Sequence, residues 1–389
     1  MAGHETANGY VKRIVDLRSD TVTKPTPEMR QAMANALVDD DVLGVDPTVD
    51  QLQKEMAQIC GKDAGLFVAS GTMGNLISVL VHCEVRGSEV IIGSESHIHH
   101  YEQGGISTLG HVYSNIVPNE SDGTLDLRKV EDAIRPDDVH YPTTRLICIE
   151  NTHGSLGGRC IGSEYTDKLG GLARRYGLKL HIDGARIFNA ATALNVPIQR
   201  LVEAADSVSV CLSKGLGAPV GSVIVGSFEF IAKARRLRKA LGGGMRQLGV
   251  LAAPALVSIH DIAGKLHIDH QNAHRLAEGL TRIKGIHVDL ASVETNMVFV
   301  EVTEDSPLSA NEICKSLKNY GILTMALTKN KVRAVFHHQI SEDDVQHAIR
   351  CFQNALCRDC RLLWRIIQDA LCRDCRLLWR IIQDALCRD

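Results

Sequence analysis

Between about residues 60 and 240 the chain repeats one pattern. Six short, nearly continuous apolar runs, GLFVA, EVIIG, RLICIE, LKLHID, SVSVCL and GSVIVG, are separated mostly by stretches of helical periodicity. Strands that alternate with helices pair in parallel, and helices then cover both faces of the sheet, so each strand is apolar throughout and not only at every second position. The pattern predicts an α/β domain on a mainly parallel sheet, whose ligands bind beyond the carboxyl ends of the strands. From about 255 to 355 it changes. A long helix candidate, SIHDIAGKLHIDHQNAHRLAEGLTRI, leads to short strands near HVDL, NMVFVEV and VRAVFH with helices between and after them, which reads as a smaller α+β domain. We therefore divide the chain into an N-terminal arm (1–30), a large domain (31–255), a small C-terminal domain (256–356) and a tail (357–389). In the arm, DLRSDTVTKPTPEMRQAM places a P-x-P at the start of a first helix.

With 389 residues, 44% of them apolar, the chain can bury a full core without disulfides or a metal. Its net charge of -3 carries no basic stripe, so no nucleic-acid partner is expected. No apolar run approaches the ~18 residues of a membrane span. The start, Met1 to Arg13, lacks the apolar segment of a secretory signal. A cytoplasmic protein without a membrane partner is the expectation.

Seven of the twelve cysteines (Cys60, Cys83, Cys148, Cys160, Cys211, Cys314 and Cys351) lie mostly in apolar runs at irregular spacing, which suits reduced, buried thiols. The other five belong to the tail, where residues 357–371, CRDCRLLWRIIQDAL, recur unchanged at 372–386. The segment between the C-x-x-C pairs reads as helix, with no turn to fold two pairs onto one zinc, so no metal is expected. The repeat advances its apolar stripe by roughly 60° per copy. It reads as a duplication and is predicted to be helical and dispensable.

The residues that carry chemistry cluster at predicted strand ends. HIDGARIFNA closes one strand with Asp183, and SVSVCLSKGLGAP places Lys214 thirty-one residues later at the end of another. Both can face one crevice at the sheet's edge. Two readings are open for them. They form a structural ion pair. Alternatively, a desolvated Lys214 forms a Schiff base while Asp183 holds a pyridinium nitrogen protonated, as pyridoxal phosphate (PLP) chemistry requires. In FVASGTMGN, Gly71 and Thr72 belong to a small-residue turn before an apolar helical stretch from Leu76, a phosphate cradle or an ordinary connection. Lys239 and Arg246 in RLRKALGGGMRQ offer cations to such a phosphate, or simply end a basic helix. His97 in SESHIHHYEQGG and His153 in ENTHGSLGG follow strands, where an imidazole stacks on a ring or relays a proton. Arg333 in VRAVFH is either a carboxylate clamp or a strand-surface charge.

Taken together, DLRSDTVTKPT, DPTVDQL, SGTMGN, SHIHHYEQGG, ENTH, HIDGARIFNA, SVCLSKGLGAPVGS and GGGMRQ resemble the low-specificity L-threonine aldolase family, over roughly residues 14–350. The resemblance implies the PLP-dependent transferase fold of type I, an α/β large domain with a mainly parallel seven-stranded sheet between helices plus a smaller C-terminal α+β domain. It implies a homotetramer built as a dimer of dimers, with a β-hydroxy amino acid as substrate and cleavage of threonine or allo-threonine to glycine and acetaldehyde. It assigns Lys214 as the lysine that carries the cofactor, Asp183 as the partner of the ring nitrogen and His97 as the stacking group. Gly71 and Thr72 cradle the phosphate. Arg246, with Lys239 close by, reaches it from a neighbouring subunit. Ser19, Arg186 and Arg333 hold the substrate carboxylate, and His153 lies near the β-hydroxyl.

The chain departs from the family pattern at Leu43, where an aromatic is common, and at Val45, which replaces an acid. Gly154 stands for an asparagine and Phe336 for a threonine. These positions are expected around the pocket, with Leu43 and Gly154 loosening its substrate side. Two rivals share the lysine and the acid: a PLP-dependent β-eliminating lyase, and a PLP-fold protein that has lost turnover. A nicotinamide dehydrogenase is disfavoured, because no G-x-G-x-x-G follows an early strand.

Overall fold

The computed structural model describes residues 13–357. The tail repeat lies outside them apart from Cys357. Thirteen strands and the helices between them arrange as a large seven-stranded sheet, a four-stranded sheet and a two-stranded ribbon.

The chain opens with β1 (Val15–Asp16) and helix α1 (Pro27–Ala34), whose cap Thr26 accepts from Met29 N and whose first residue is Pro27. Helix α2 (Pro47–Cys60) is capped by Asp46 and ends on left-handed Gly61. Then follow β2 (Ala64–Val68), helix α3 (Gly71–His82), β3 (Ser88–Gly93), β4 (Tyr113–Val117), β5 (Thr143–Glu150), β6 (Lys179–Asp183), β7 (Ser207–Cys211) and β8 (Ser222–Gly226). Their order in the sheet is β2-β8-β7-β6-β5-β3-β4, parallel except for β8, which runs against both its neighbours. β3, β7 and β8 are buried at every residue, which is why their sequences read as continuous apolar runs. β4 gave no such run because it is the sheet's edge, mostly half-exposed or exposed.

Two expectations are corrected. The helix expected from Leu76 begins at Gly71, because Ser70 Oγ accepts from Met73 N and starts it there. The single helix expected over 258–283 is broken: an α-helix (Gly249–Val257), a π turn (Ser258–Ile262), a short 3-10 turn (Ala263–Lys265) and a second α-helix (Leu266–Leu280) follow one another. Pro254 lies inside the first, and Ser258 Oγ donates to its carbonyl oxygen at 2.9 Å, so the regular ladder is interrupted there. The run Gly249–Leu280 is long and apolar enough to cross a membrane, but 44% of its most apolar window is buried inside the fold and its first part packs on α1 and α2.

The small domain carries β9 (Ile286–His287), β10 (Met297–Val302), β11 (Ile322–Leu323), β12 (Met325–Thr328) and β13 (Lys331–Val335), with helices Ala310–Asn319 and Glu342–Leu356. The arm docks here. β1 pairs in parallel with β11, and Val15 and Leu17 are buried in the same hydrophobic core as Leu276, Val300 and Phe352. The cysteines expected to be buried thiols are free, and five of those seven are buried. Burial pushes Cys60 and Cys83 up to about 12, which leaves them inert as nucleophiles.

The helix Glu342–Leu356 is closed by the reciprocal Ser341–Asp344 cap and packs its last residues, Ala355 and Leu356, into the small-domain core. A chain ending at Leu356 is therefore expected to keep its circular dichroism spectrum, elution volume and activity. Loss of assembly on truncation would contradict this.

Candidate active site

The parallel strands deliver their last residues to one edge of the large sheet. Asp183 ends β6 and Glu150 ends β5. His97 starts a single helical turn after β3, and Lys214 lies just beyond β7. The Lys214 loop is pinned by Gly217 N, which donates to Lys214 O at 2.8 Å. Gly217 sits at φ +74, and a Cβ there would lie 2.4 Å from His338 Cε1, so both conformation and space demand glycine.

Asp183 and Lys214 form no ion pair. Among the described residues, the side-chain amine of Lys214 has no hydrogen-bonded or ion-paired partner, so the structural-pair reading is removed. Asp183 accepts instead from Ala185 N (3.1 Å) and from Asn75 Nδ2 (2.9 Å). The same amide nitrogen donates to Glu102 Oε1 at 2.9 Å, which also meets His97 Nδ1 at 2.9 Å. The hydrogen bond to Glu102 raises the His97 imidazole, against desolvation and the charge of Lys214. Burial, with Asp183 nearby, raises Glu102. Its Oε2 is buried without a partner. Glu150 ties the surrounding loops together: Oε2 accepts from His97 N and Oε1 from Gly154 N, each at 2.8 Å.

Two cationic side chains, Arg186 and Arg333, share the other side of this edge. Arg186 is buried and donates two bonds of 2.7 Å to the two oxygens of Asp20. Burial would raise Asp20, but the Arg186 charge and hydrogen bonds, with Lys214 and Asn296 assisting, bring it down to about 2. The guanidinium face expected to meet substrate is thus already occupied, leaving Arg186 Nη1. Arg333 is near enough to Arg186 to be lowered by it, after desolvation. One nitrogen of Arg333 donates to Arg18 O at 3.0 Å and its Nε is buried and unpaired, so among the described residues no carboxylate pairs with it. Ser19 Oγ, beside Asp20, accepts from Thr21 Oγ1 at 2.9 Å.

At the head of α3, Ser70 takes Met73 N and Gly74 N reaches Ser70 O, while the N–H groups of Gly71 and Thr72 meet no acceptor among the described residues. A Cβ on Gly71 would lie 2.7 Å from Cys211 Sγ. Three predicted residues, Lys239, Arg246 and His153, are not joined to this network. Lys239 is exposed, and Arg246 pairs with Asp40 at 2.8 Å around the glycine turn that follows the helix Phe228–Ala240. His153 is fully buried, its ring against Gly123 and both ring nitrogens without partners.

The beta-eliminating lyase family matches residues 16–303. The low-specificity L-threonine aldolase 1 of Arabidopsis thaliana is 60% identical over 348 residues, 89% of this chain and 97% of that protein. The low specificity L-threonine aldolase of Escherichia coli (strain K12) is 40% identical over 89% of this chain and all of that one. This chain belongs to the low-specificity L-threonine aldolases. Among solved structures, the threonine aldolase of Leishmania major superposes with a TM-score of 0.74 at 19% identity, covering 88% of this chain and 100% of that one.

Within this threonine aldolase the departures do not all surround the pocket. Phe336 is corrected: it is fully buried in the small-domain core, its N donating to Asn296 O. Leu43 and Val45 are exposed. Gly154 does face the site, since a Cβ there would lie 3.2 Å from Glu150 Oε1 and 3.5 Å from Arg186 Nη1.

One buried acid near the site yields a pH prediction. Burial, joined by the Asp20 charge, pushes Asp269 up to about 7 from its ordinary 3.8. A value raised on folding gives stability that is full below about pH 4 and lost as pH rises through about 7. Asp269→Asn is expected to raise the melting temperature more at pH 8 than at pH 5, the difference amounting to about 2–3 kcal/mol of stability. Equal shifts at both pH values would contradict it.

Proposed function

We infer that this protein is a pyridoxal-phosphate-dependent aldehyde-lyase that cleaves L-threonine and L-allo-threonine to glycine and acetaldehyde. The observation that carries the reading is Lys214, an amine without a carboxylate partner, set between the Asp183–Asn75–Glu102–His97 network and the Asp20–Arg186–Arg333 cluster. The residues present fit the cofactor. Lys214 Nζ would carry it, Asp183 would face the ring nitrogen and His97 would lie against the ring. The free N–H groups of Gly71 and Thr72 suit a phosphate, at a helix start that admits no larger residue than glycine. When bound, the cofactor supplies a sink for the electron pair released as the Cα–Cβ bond breaks.

The chain's own residues do the rest. Arg333 offers an uncompensated guanidinium to the substrate carboxylate, with Ser19 and Arg186 Nη1 completing that side. Asp20 holds Arg186 in one orientation. His97, fixed through Nδ1 by Glu102, keeps Nε2 available to take the β-hydroxyl proton. His153 is enclosed by the Gly123 turn, so geometry favours His97 for that step.

The expected homotetramer, a dimer of dimers, is supported by apolar side chains left in the open on the 37–45 loop, Leu37 and Leu43 each 74% exposed. Beside them, Arg246 and Lys239 would then serve a neighbouring subunit's phosphate. A cytoplasmic location completes the proposal.

Product analysis tests the reading. With added cofactor and L-threonine, glycine and acetaldehyde in equal amounts are expected. A keto acid with ammonia would instead establish the β-eliminating lyase, and bound cofactor without turnover the protein that has lost it.

A further inference from the structure

Helix α3 touches the site at three levels. Its first turn presents Gly71 and Thr72, its second presents Asn75 between Asp183 and Glu102, and its last residue, His82, ends a chain of hydrogen bonds that starts at Asn75. Asn75 Oδ1 lies 3.1 Å from His181 Nε2, His181 Nδ1 lies 2.8 Å from Ser207 Oγ, and Ser207 Oγ lies 2.8 Å from His82 Nε2. His181 and Ser207 are adjacent, on the paired strands β6 and β7, and both are fully buried.

Only one arrangement of protons satisfies this chain. The carboxylates of Asp183 and Glu102 accept only, so Asn75 must turn its amide nitrogen to them and its oxygen to His181. His181 must then donate from Nε2. Burial, opposed in part by the Asp183 charge, lowers His181 to about 4, so it is neutral and its Nδ1 carries a lone pair. Ser207 gives its single proton to that lone pair and accepts from His82 Nε2. His82, lowered to about 3 chiefly by burial, stacks on Phe230 at 5.0 Å. An asparagine amide can turn over when nothing distinguishes its two ends. Here an acceptor at its nitrogen end and a donor at its oxygen end forbid the turn.

We propose that His181 is a positioning residue for the cleavage reaction: by donating to Asn75 Oδ1 it fixes the amide that holds the Asp183 and Glu102 carboxylates, and through Ser207 and His82 it locks α3 to the sheet in that register. This rests on reading Asp183 as the acid that faces the cofactor ring. Without the lock, Asn75 can present its oxygen to two carboxylates, and both lose their shared donor.

The test joins two readouts. In cofactor-free protein labelled with nitrogen-15 histidine, the rings of His181 and His82, identified by His181→Gln and His82→Gln, are expected as neutral Nε2-protonated tautomers that do not titrate between pH 5 and pH 9. In the holoenzyme, His181→Leu is expected to lower kcat about tenfold with KM for L-threonine little changed, as loss of a partner that orients a site residue does elsewhere. It should also move the pH at which the bound cofactor's visible band titrates. His181→Gln, which restores a donor and an acceptor, is expected to recover both. A proton on His181 Nδ1, a titrating His181, or unchanged kcat and band in His181→Leu would overturn the proposal. If wild-type protein neither binds the cofactor nor turns over, the aldolase reading falls, and the tautomers still decide the lock.

Discussion

Lys214→Ala is expected to abolish cleavage of L-threonine, by at least ~10³-fold in kcat/KM, while leaving the fold intact. The size of the loss follows from the amine's situation: no side chain among the described residues pairs with it, and it is the lysine whose charge reaches both His97 and Asp20. The fold should survive because Lys214 holds nothing by its side chain. The loop around it is kept by backbone bonds, Gly217 N to Lys214 O and Ala218 N to Leu212 O, and alanine retains both. Circular dichroism and melting curves beside the kinetics separate loss of chemistry from loss of structure.

The second large effect is on stability. Asp20→Ala strands the Arg186 guanidinium, 8% exposed, without its bidentate partner, and breaking a buried pair in this way costs about 3–5 kcal/mol. Asn296 Nδ2, which also donates to Asp20, loses an acceptor. The pair joins the arm to the large domain across 166 residues of chain, so the variant should also free the 19–22 turn that carries Ser19. The pH dependence has a definite sign. Asp20 is lowered on folding to about 2, so its contribution is full above about pH 4 and is lost as pH falls through about 2. Wild-type stability should therefore fall in acid more steeply than that of Asp20→Ala, as read by denaturant unfolding at pH 3 and pH 7. Parallel curves would show that the pair contributes little.

The fold was legible where burial is two-sided. β3, β7 and β8 announce themselves because every residue on them is enclosed. β4 and the two-residue β1 escaped because an edge strand and a short pairing leave no apolar run. The break at 258–265 was hidden because a π turn keeps roughly helical spacing of apolar residues. In the site, Lys214 and Asp183 stood out as charges ending apolar strands. Asp20, Asn75, Glu102 and Glu150 did not, although each lies inside a motif that was singled out: DLRSDTVTKPT, SGTMGN, SHIHHYEQGG and ENTH. Their roles are relations between distant segments, 108 residues from Asn75 to Asp183 and 53 from His97 to Glu150, and no local window holds such a relation. The one available signal is that a buried arginine requires an acid, and DLRSDTVTKPT holds the carboxylate, Asp20, that meets Arg186.

The most direct test of the account is to load the protein with pyridoxal phosphate, reduce it with borohydride and map the modified peptide by mass spectrometry. One modification, on Lys214 and absent from Lys214→Ala, is the predicted result. Modification at Lys239 or any other lysine with Lys214 untouched, or none in protein that cleaves L-threonine, would contradict it.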